Sequence, residues 1–461
     1  MVYQTTKFSL KKKKISEKIR KLISLRKRKK INRKKSNKRN NRRKRVAIIS
    51  VHSDPSAKLG GHETGGQNVY VSELSKRLGQ MGWSVDVFTR LTRKRKKMVR
   101  SYGKNVNIVY LKAGPRYFIP KEEVLNKLPE FLGNFLTYKE GNKLNYSIVH
   151  GNYYLGGWVA AQIKRVLCIP MVETFHSLGH IRHRALEKFE KENVNIEKFE
   201  ERLKAEEEIM KTSDKIIATS PPEKKDLLHY YDFSLENKIE IIPCGVNLKR
   251  FKKINFENAR DYTNFSKKDK IIIYIGRIDW RKGIETIIQA FPLVLKKLSK
   301  FEKDLKIIII GGKIGKRGDV ADKQEIKRLK NITQELGIEK KVLFLGRKDQ
   351  EKLSYYYSSS DIFITPPYYE PFGMTSLEAM RCGTPIIASN IGGLSFIIQN
   401  RKTGLFFPPG NHKILAKKIA ELFINKKLKN KLAKNAEKMV KENYSWEKVS
   451  SEIANLYQEL L

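Results

Sequence analysis

The sequence predicts an α/β protein made of two doubly wound parallel-sheet domains. Three observations predict it. Short β-branched runs alternate with helical stretches along most of the chain, the pattern of repeated βα units. Those runs are apolar almost throughout instead of alternating, as in parallel sheets covered on both faces. The length, 461 residues, exceeds one ordinary core, and 40% hydrophobic residues can fill two.

The first half, 46–246, carries strands at Val46–His52, Val85–Thr89, Val106–Leu111, Ile148–His150, Met171–Phe175, Lys215–Ser220 and Ile239–Pro243. After the first of them comes the pair Gly65-Gly66, and Val69, Leu74, Leu78 and Met81 then fall near helical spacing. Residues 185–211, rich in Glu and Lys, read as a solvated helical insertion. The charged, helix-poor segment 247–270 reads as a linker. The second half, 271–430, carries strands at Ile271–Ile275, Ile307–Ile310, Val342–Leu345, Ile362–Thr365, Pro385–Ala388 and Leu405–Phe407. Its first helix shows one clear stripe of Ile284, Ile287, Ile288, Phe291, Val294, Leu295 and Leu298. Residues 431–461 read as closing helices.

Charge is uneven. Residues 1–45 hold 22 Lys and Arg against one acidic residue, Glu17, and so supply +21 of the formal +47. Such a tail repels itself and is expected to be disordered. Three uses compete for it: attachment to anionic lipid, loose nucleic-acid binding, or none. Aromatic residues do not interleave it as a stacking surface needs, which argues against nucleic acid. No apolar run approaches the ~20 residues of a membrane span. The cysteines, Cys168, Cys244 and Cys382, are isolated and read as small core residues in a reducing cytosol.

Two segments carry chemistry. The run Glu370-Pro371-Phe372-Gly373-Met374-Thr375-Ser376-Leu377-Glu378 follows an apolar strand and opens a helix. Free N–H groups and the positive helix end make such a corner an anion site. Glu370 before the turn and Glu378 inside the helix can flank a diphosphate and accept from hydroxyls on its two sides. The run Gly276-Arg277-Ile278-Asp279-Trp280-Arg281-Lys282-Gly283 likewise follows a strand, and places Arg277 and Lys282 where ligands of open α/β sheets bind. Arg277 can fork onto phosphate oxygens, and Lys282 adds a point charge. Taken alone, each segment also reads as a solvated corner in a very basic chain.

Together these segments resemble the donor half of the retaining GT-B glycosyltransferases. Gly65-Gly66-Gln67-Asn68, His150-Gly151-Asn152-Tyr153-Tyr154 and Thr174-Phe175-His176-Ser177-Leu178-Gly179 continue the likeness into the first half. They are similar to the sucrose-phosphate synthase and sucrose synthase branch, and to the inositol-phosphate glycosyltransferase of mycothiol synthesis. The resemblance implies two Rossmann-like domains facing a cleft, with the last helices crossing back onto the first domain. It places Arg277, Lys282, Glu370 and His176 at the reacting centre. Gly276, Gly373, Met374, Thr375, Glu378 and Arg347 would bind the donor. Gly65, Gly66, Gln67, Tyr153, Arg182 and Arg202 would bind the acceptor, although a solvated face is the ordinary reading of a single arginine here.

The implied reaction moves a hexose from a nucleotide diphosphate sugar, UDP-glucose by default, onto a sugar, sugar phosphate or cyclitol phosphate, with retention. No Asp-x-Asp pair or His cluster is placed for a metal, and no cofactor beyond the co-substrate is expected. A cytoplasmic location is expected. In a second reading the tail holds the enzyme at the inner membrane face, on a lipid-linked or cell-envelope acceptor. A third, a basic nucleic-acid-binding protein, leaves Arg277, Lys282, Glu370 and Glu378 unexplained.

Overall fold

The computed structural model describes residues 44–57, 64–93, 97–188, 196–312 and 320–461. The tail through residue 43 lies outside them, while Arg45 already belongs to the first strand.

The first sheet is built from β1 (Arg45–Ile49), β2 (Ser84–Arg90), β3 (Val99–Gly103), β4 (Val106–Leu111), β5 (Ile148–Asn152), β6 (Met171–Thr174), β7 (Lys215–Ala218) and β8 (Ile239–Ile241). Their spatial order is β3-β4-β2-β1-β5-β6-β7-β8, parallel except for the β3–β4 pair. The second sheet holds β9 (Lys270–Ile275), β10 (Leu305–Ile310), β11 (Val342–Phe344), β12 (Ile362–Thr365), β13 (Ile386–Ser389) and β14 (Leu405–Phe407). Its order is β11-β10-β9-β12-β13-β14, parallel throughout.

Each sheet has a point where the winding reverses. Around β1 the chain builds outward through β2 on one side and β5 on the other; around β9 it does so through β10 and β12. Connections leave such strands in opposite directions, so a crevice opens beyond their carboxyl ends. Both chemistry-bearing segments of the second half leave from that crevice.

The packing follows the sequence pattern. Ile272 and Tyr274 on β9 pack on one side with Ile287, Ile288, Phe291 and Val294 of helix Ile284–Lys297. Ile271, Ile273 and Ile275 face the other way, onto Leu377 and Met380 of helix Met374–Arg381. The last helix, Trp446–Glu459, returns to the first sheet's lobe. There Trp446 meets Tyr70 edge-on, Tyr457 meets Trp83, and the Tyr457 hydroxyl pairs with buried His150. The two chain crossings run side by side, with Val246 N–H donating to the Tyr444 carbonyl at 2.7 Å.

Several expectations need correction. β3 escaped the sequence reading because VRSYG has one strongly apolar residue and pairs only at the sheet's edge. The segment 247–270 is not helix-poor: Asn255 caps helix Phe256–Thr263, which packs on helix Leu353–Ser358. The region 185–211 is not simply solvated, since helix Ile196–Thr212 buries Arg202, Ala205, Glu206, Ile209 and Met210. Cys168 is exposed at the left-handed C-cap of helix Tyr153–Leu167, whereas Cys244 and Cys382 are buried.

Candidate active site

On the second lobe, the loop after β9 and the loop after β12 meet. Gly283 makes this possible: it adopts φ +63, and a Cβ there would lie 2.0 Å from the Pro366 carbonyl oxygen. The Tyr368 N–H donates to the Arg281 carbonyl at 2.8 Å. These ties bring Lys282 Nζ to 2.7 Å from Glu370 Oε2. Arg277 lies half exposed, its Nη2 3.8 Å from Asp279 Oδ2. Burial opposes the Asp279 charge, but hydrogen bonds from Arg281 and the charges of Arg281 and Arg277 outweigh it and hold the carboxyl ionised. Gly276 sits between β9 and Arg277, its N–H bonded to the Ile310 carbonyl at 3.0 Å.

Gly373 adopts φ +100 and starts helix Met374–Arg381, with Thr375 in its first turn. The N–H groups at this helix start are the donors that helix geometry leaves free. Glu378 is buried one turn in and accepts from the Tyr357 hydroxyl at 3.0 Å. Burial pushes its carboxyl up to about 7. Arg347 follows β11, where the Gly346 carbonyl accepts from Gly311 N–H at 3.1 Å.

Across the cleft stands the glycine pair. A Cβ on Gly65 would meet Arg277 Cδ at 4.0 Å, and one on Gly66 would meet Met374 Sδ at 3.4 Å. The glycine loop therefore lies against the Arg277 and Met374 side chains across the cleft. Asn68 fixes their loop, accepting from Gly65 N–H at 2.8 Å and donating to the Asp54 carbonyl at 2.8 Å. Gln67 reaches Ser50 Oγ at 3.2 Å. Gly65 and Gly66 thus face Arg277 and Met374 across the cleft, while Lys282 and Glu370 pair on the second lobe.

The first lobe's side of the cleft is made at the ends of β5 and β6. His176 lies two residues beyond β6, with φ +60. Its Nε2 is 2.9 Å from Asn152 Oδ1, and its ring meets Tyr70 edge-on. Burial lowers His176 to about 3, so the ring is neutral. Tyr153 opens its helix at φ +65, and its ring lies 4.8 Å from the His52 ring, tilted by 50°.

Arg202 is not on a solvated face. It is 3% exposed, with its guanidinium 5.1 Å from both the Tyr153 and Tyr154 rings. Nε donates to Glu206 Oε1 at 2.8 Å and Nη2 to the Ser177 carbonyl at 2.7 Å. Burial works against its charge, but Glu206 and the two phenols outweigh that and keep it cationic. Nη1 is buried with no hydrogen-bond partner. Arg182 lies 3.7 Å from Glu122, and its Nε is likewise unpartnered. Buried donors are normally satisfied, so these nitrogens, unpartnered and closed to solvent in this state, stand out on the first lobe. Sequence reasoning quoted Asn68, Asn152 and Ser177 within the motifs without giving them a role, and it passed over Tyr369, which only its place next to Glu370 could have signalled.

Two family models match the chain. Glycosyl transferases group 1 covers residues 255–439 and glycosyltransferase family 4 covers 64–250. The mannosylfructose-phosphate synthase of Agrobacterium fabrum is 31% identical, over 90% of this chain and 91% of its own. A D-inositol 3-phosphate glycosyltransferase of Corynebacterium jeikeium is 29% identical, over 90% and 97%. Among solved structures, the sucrose-phosphate synthase of Thermosynechococcus elongatus superposes with a TM-score of 0.81 at 35% identity, covering 91% of this chain and 99% of that one. Among the described residues, no helix is long and apolar enough to cross a membrane, and no cluster of three or more His, Cys, Asp or Glu could hold a metal.

Proposed function

The chain belongs to the group 1 glycosyltransferases, and on that premise we propose that it moves a hexose, with retention, from a nucleotide diphosphate sugar to a phosphorylated sugar or cyclitol. UDP-glucose is the proposed donor. The observation that carries the reading is the meeting of Arg277, Lys282, Glu370 and the helix start at Gly373 opposite the glycine pair.

In this reading the diphosphate lies between the two cations and the free N–H groups of the helix start. Those groups stabilise the negative charge that grows on the leaving phosphate. Glu370, freed from Lys282 as the phosphate arrives, accepts from hydroxyls of the transferred sugar. Glu378 accepts from the ribose. Neither acts as a glycosidase nucleophile; positioning in a closed cleft supplies the rest of the rate. Neutral His176 lies against the sugar. Arg202 Nη1 and Arg182 take the acceptor's phosphate, and Tyr153 and Tyr154 fix the guanidinium plane.

A phosphorylated acceptor is favoured over a neutral one by that unpartnered nitrogen. The relatives named for phosphorylated substrates or products support it. The basic residues 1–45 favour a peripheral membrane location as a second reading, which co-sedimentation with anionic liposomes tests.

The test of the function is turnover. Nucleotide sugars are screened by thermal shift, and the binder is then assayed with paired phosphorylated and dephosphorylated acceptors. Wild type is expected to use the phosphorylated members only. Lys282→Ala is expected to lower kcat by about 10²–10³, the loss typical of one charge-stabilising donor, with its melting temperature kept. Near-normal kinetics in that variant would remove the donor-site assignment.

A further inference from the structure

We propose that Tyr369 is a positioning residue that couples the two halves of the site, linking acceptor-anion binding at Arg202 to the donor-side pair Lys282–Glu370. The inference rests on the functional reading above.

The connection is continuous. Tyr369 immediately precedes Glu370 in the loop after β12. Its hydroxyl crosses the cleft and donates to Ser177 Oγ at 3.3 Å. The Ser177 carbonyl accepts from Arg202 Nη2 at 2.7 Å. Ser177 also follows His176, whose left-handed backbone and bond to Asn152 leave the segment little freedom. Ser177 of the first lobe thus touches the guanidinium through its carbonyl and the second lobe through its hydroxyl.

Three features make this a coupling and not just a contact. Arg202 has one nitrogen spent on Ser177 and another unspent, so an anion on Nη1 pulls on the group that holds the Ser177 carbonyl. Burial keeps the Tyr369 phenol protonated, so it remains a donor at neutral pH. A cavity of about 300 Å³ lies beside the link, lined in part by Leu178, Ile181, Pro222, Tyr369, Glu370 and Gly393 from both lobes. The lobes are therefore not packed solid here, and Tyr369 can shift with Ser177. Two sites that bias one shared element bind cooperatively and reciprocally.

The experiment is isothermal titration of UDP into the full-length protein, with and without saturating inorganic phosphate as the acceptor-site probe. In wild type, phosphate is expected to tighten UDP binding about fivefold or more, the lower end of ordinary coupling between sites. Tyr369→Phe is expected to abolish the tightening and leave UDP affinity without phosphate within about twofold. Ser177→Ala, on the other lobe, should do the same, and the double variant should lose no more than either single one. A purely structural role would instead weaken UDP with and without phosphate alike. UDP tightened as in wild type in both variants, or no phosphate effect in wild type while UDP and phosphate each bind, overturns the coupling alone. UDP that does not bind at all overturns the donor reading with it.

Discussion

Glu173 lies fully buried in β6, and neither of its carboxyl oxygens has a hydrogen-bond partner. Burial, with Glu206 nearby, raises its carboxyl well above the ordinary value, so the group is folded in neutral. In the unfolded chain it ionises above about pH 4.3. The native state then holds a proton that the unfolded state has lost, so stability falls as pH rises through that window, by about 1.4 kcal/mol per unit for one proton. Glu173→Gln should flatten that slope. The check is melting temperature from pH 5 to 8 in both proteins: parallel curves would show that Glu173 does not titrate this way. Such a residue is invisible in sequence, because MVETF reads as a strand whichever way Glu173 points. Arg202 was hidden similarly: its charge suggested solvent, and only its fold neighbours Glu206, Tyr153 and Tyr154 explain its burial. Lys282 and Glu370 were legible because glycine turns after apolar strands announced where they would stand.

Among the elements, strands were the readable part. β4, β12 and β14 lie where their apolar runs predict, since a buried parallel strand must be apolar on both faces. Helix Phe256–Thr263 was not readable. Its sequence, FENARDYT, has few apolar positions, and its Asn255 cap and its contact with helix Leu353–Ser358 decide its form. Loop contacts between elements were equally hidden, and Gly283 shows why they matter. Any side chain there must escape both the left-handed backbone and the Pro366 carbonyl. Gly283→Ala is expected to cost about 2–4 kcal/mol and to part the loops that hold Lys282 against Glu370. Denaturant unfolding checks the first effect and donor affinity the second; wild-type values for both would show that the loop absorbs a Cβ freely.

At the scale of the whole molecule, two sheets place their winding reversals across one cleft, with nucleotide-sugar chemistry proposed from one side and an anionic acceptor from the other. The last helix joins the lobes: Trp446 and Tyr457 share one apolar cluster with Val46 and Ile48 of the first sheet and Ile271 and Ile273 of the second. The sequence showed that there were two such units but not how they face, because residues that meet across the cleft, such as Tyr369 and Ser177, are 192 positions apart. The position of UDP-glucose in a crystal of its complex with this protein tests the account most directly. The diphosphate is expected between Arg277, Lys282 and the helix start at Gly373, with the ribose at Glu378 and the glucose between Glu370 and His176. A nucleotide lodged on the first lobe, or away from Arg277 and Lys282, would contradict it.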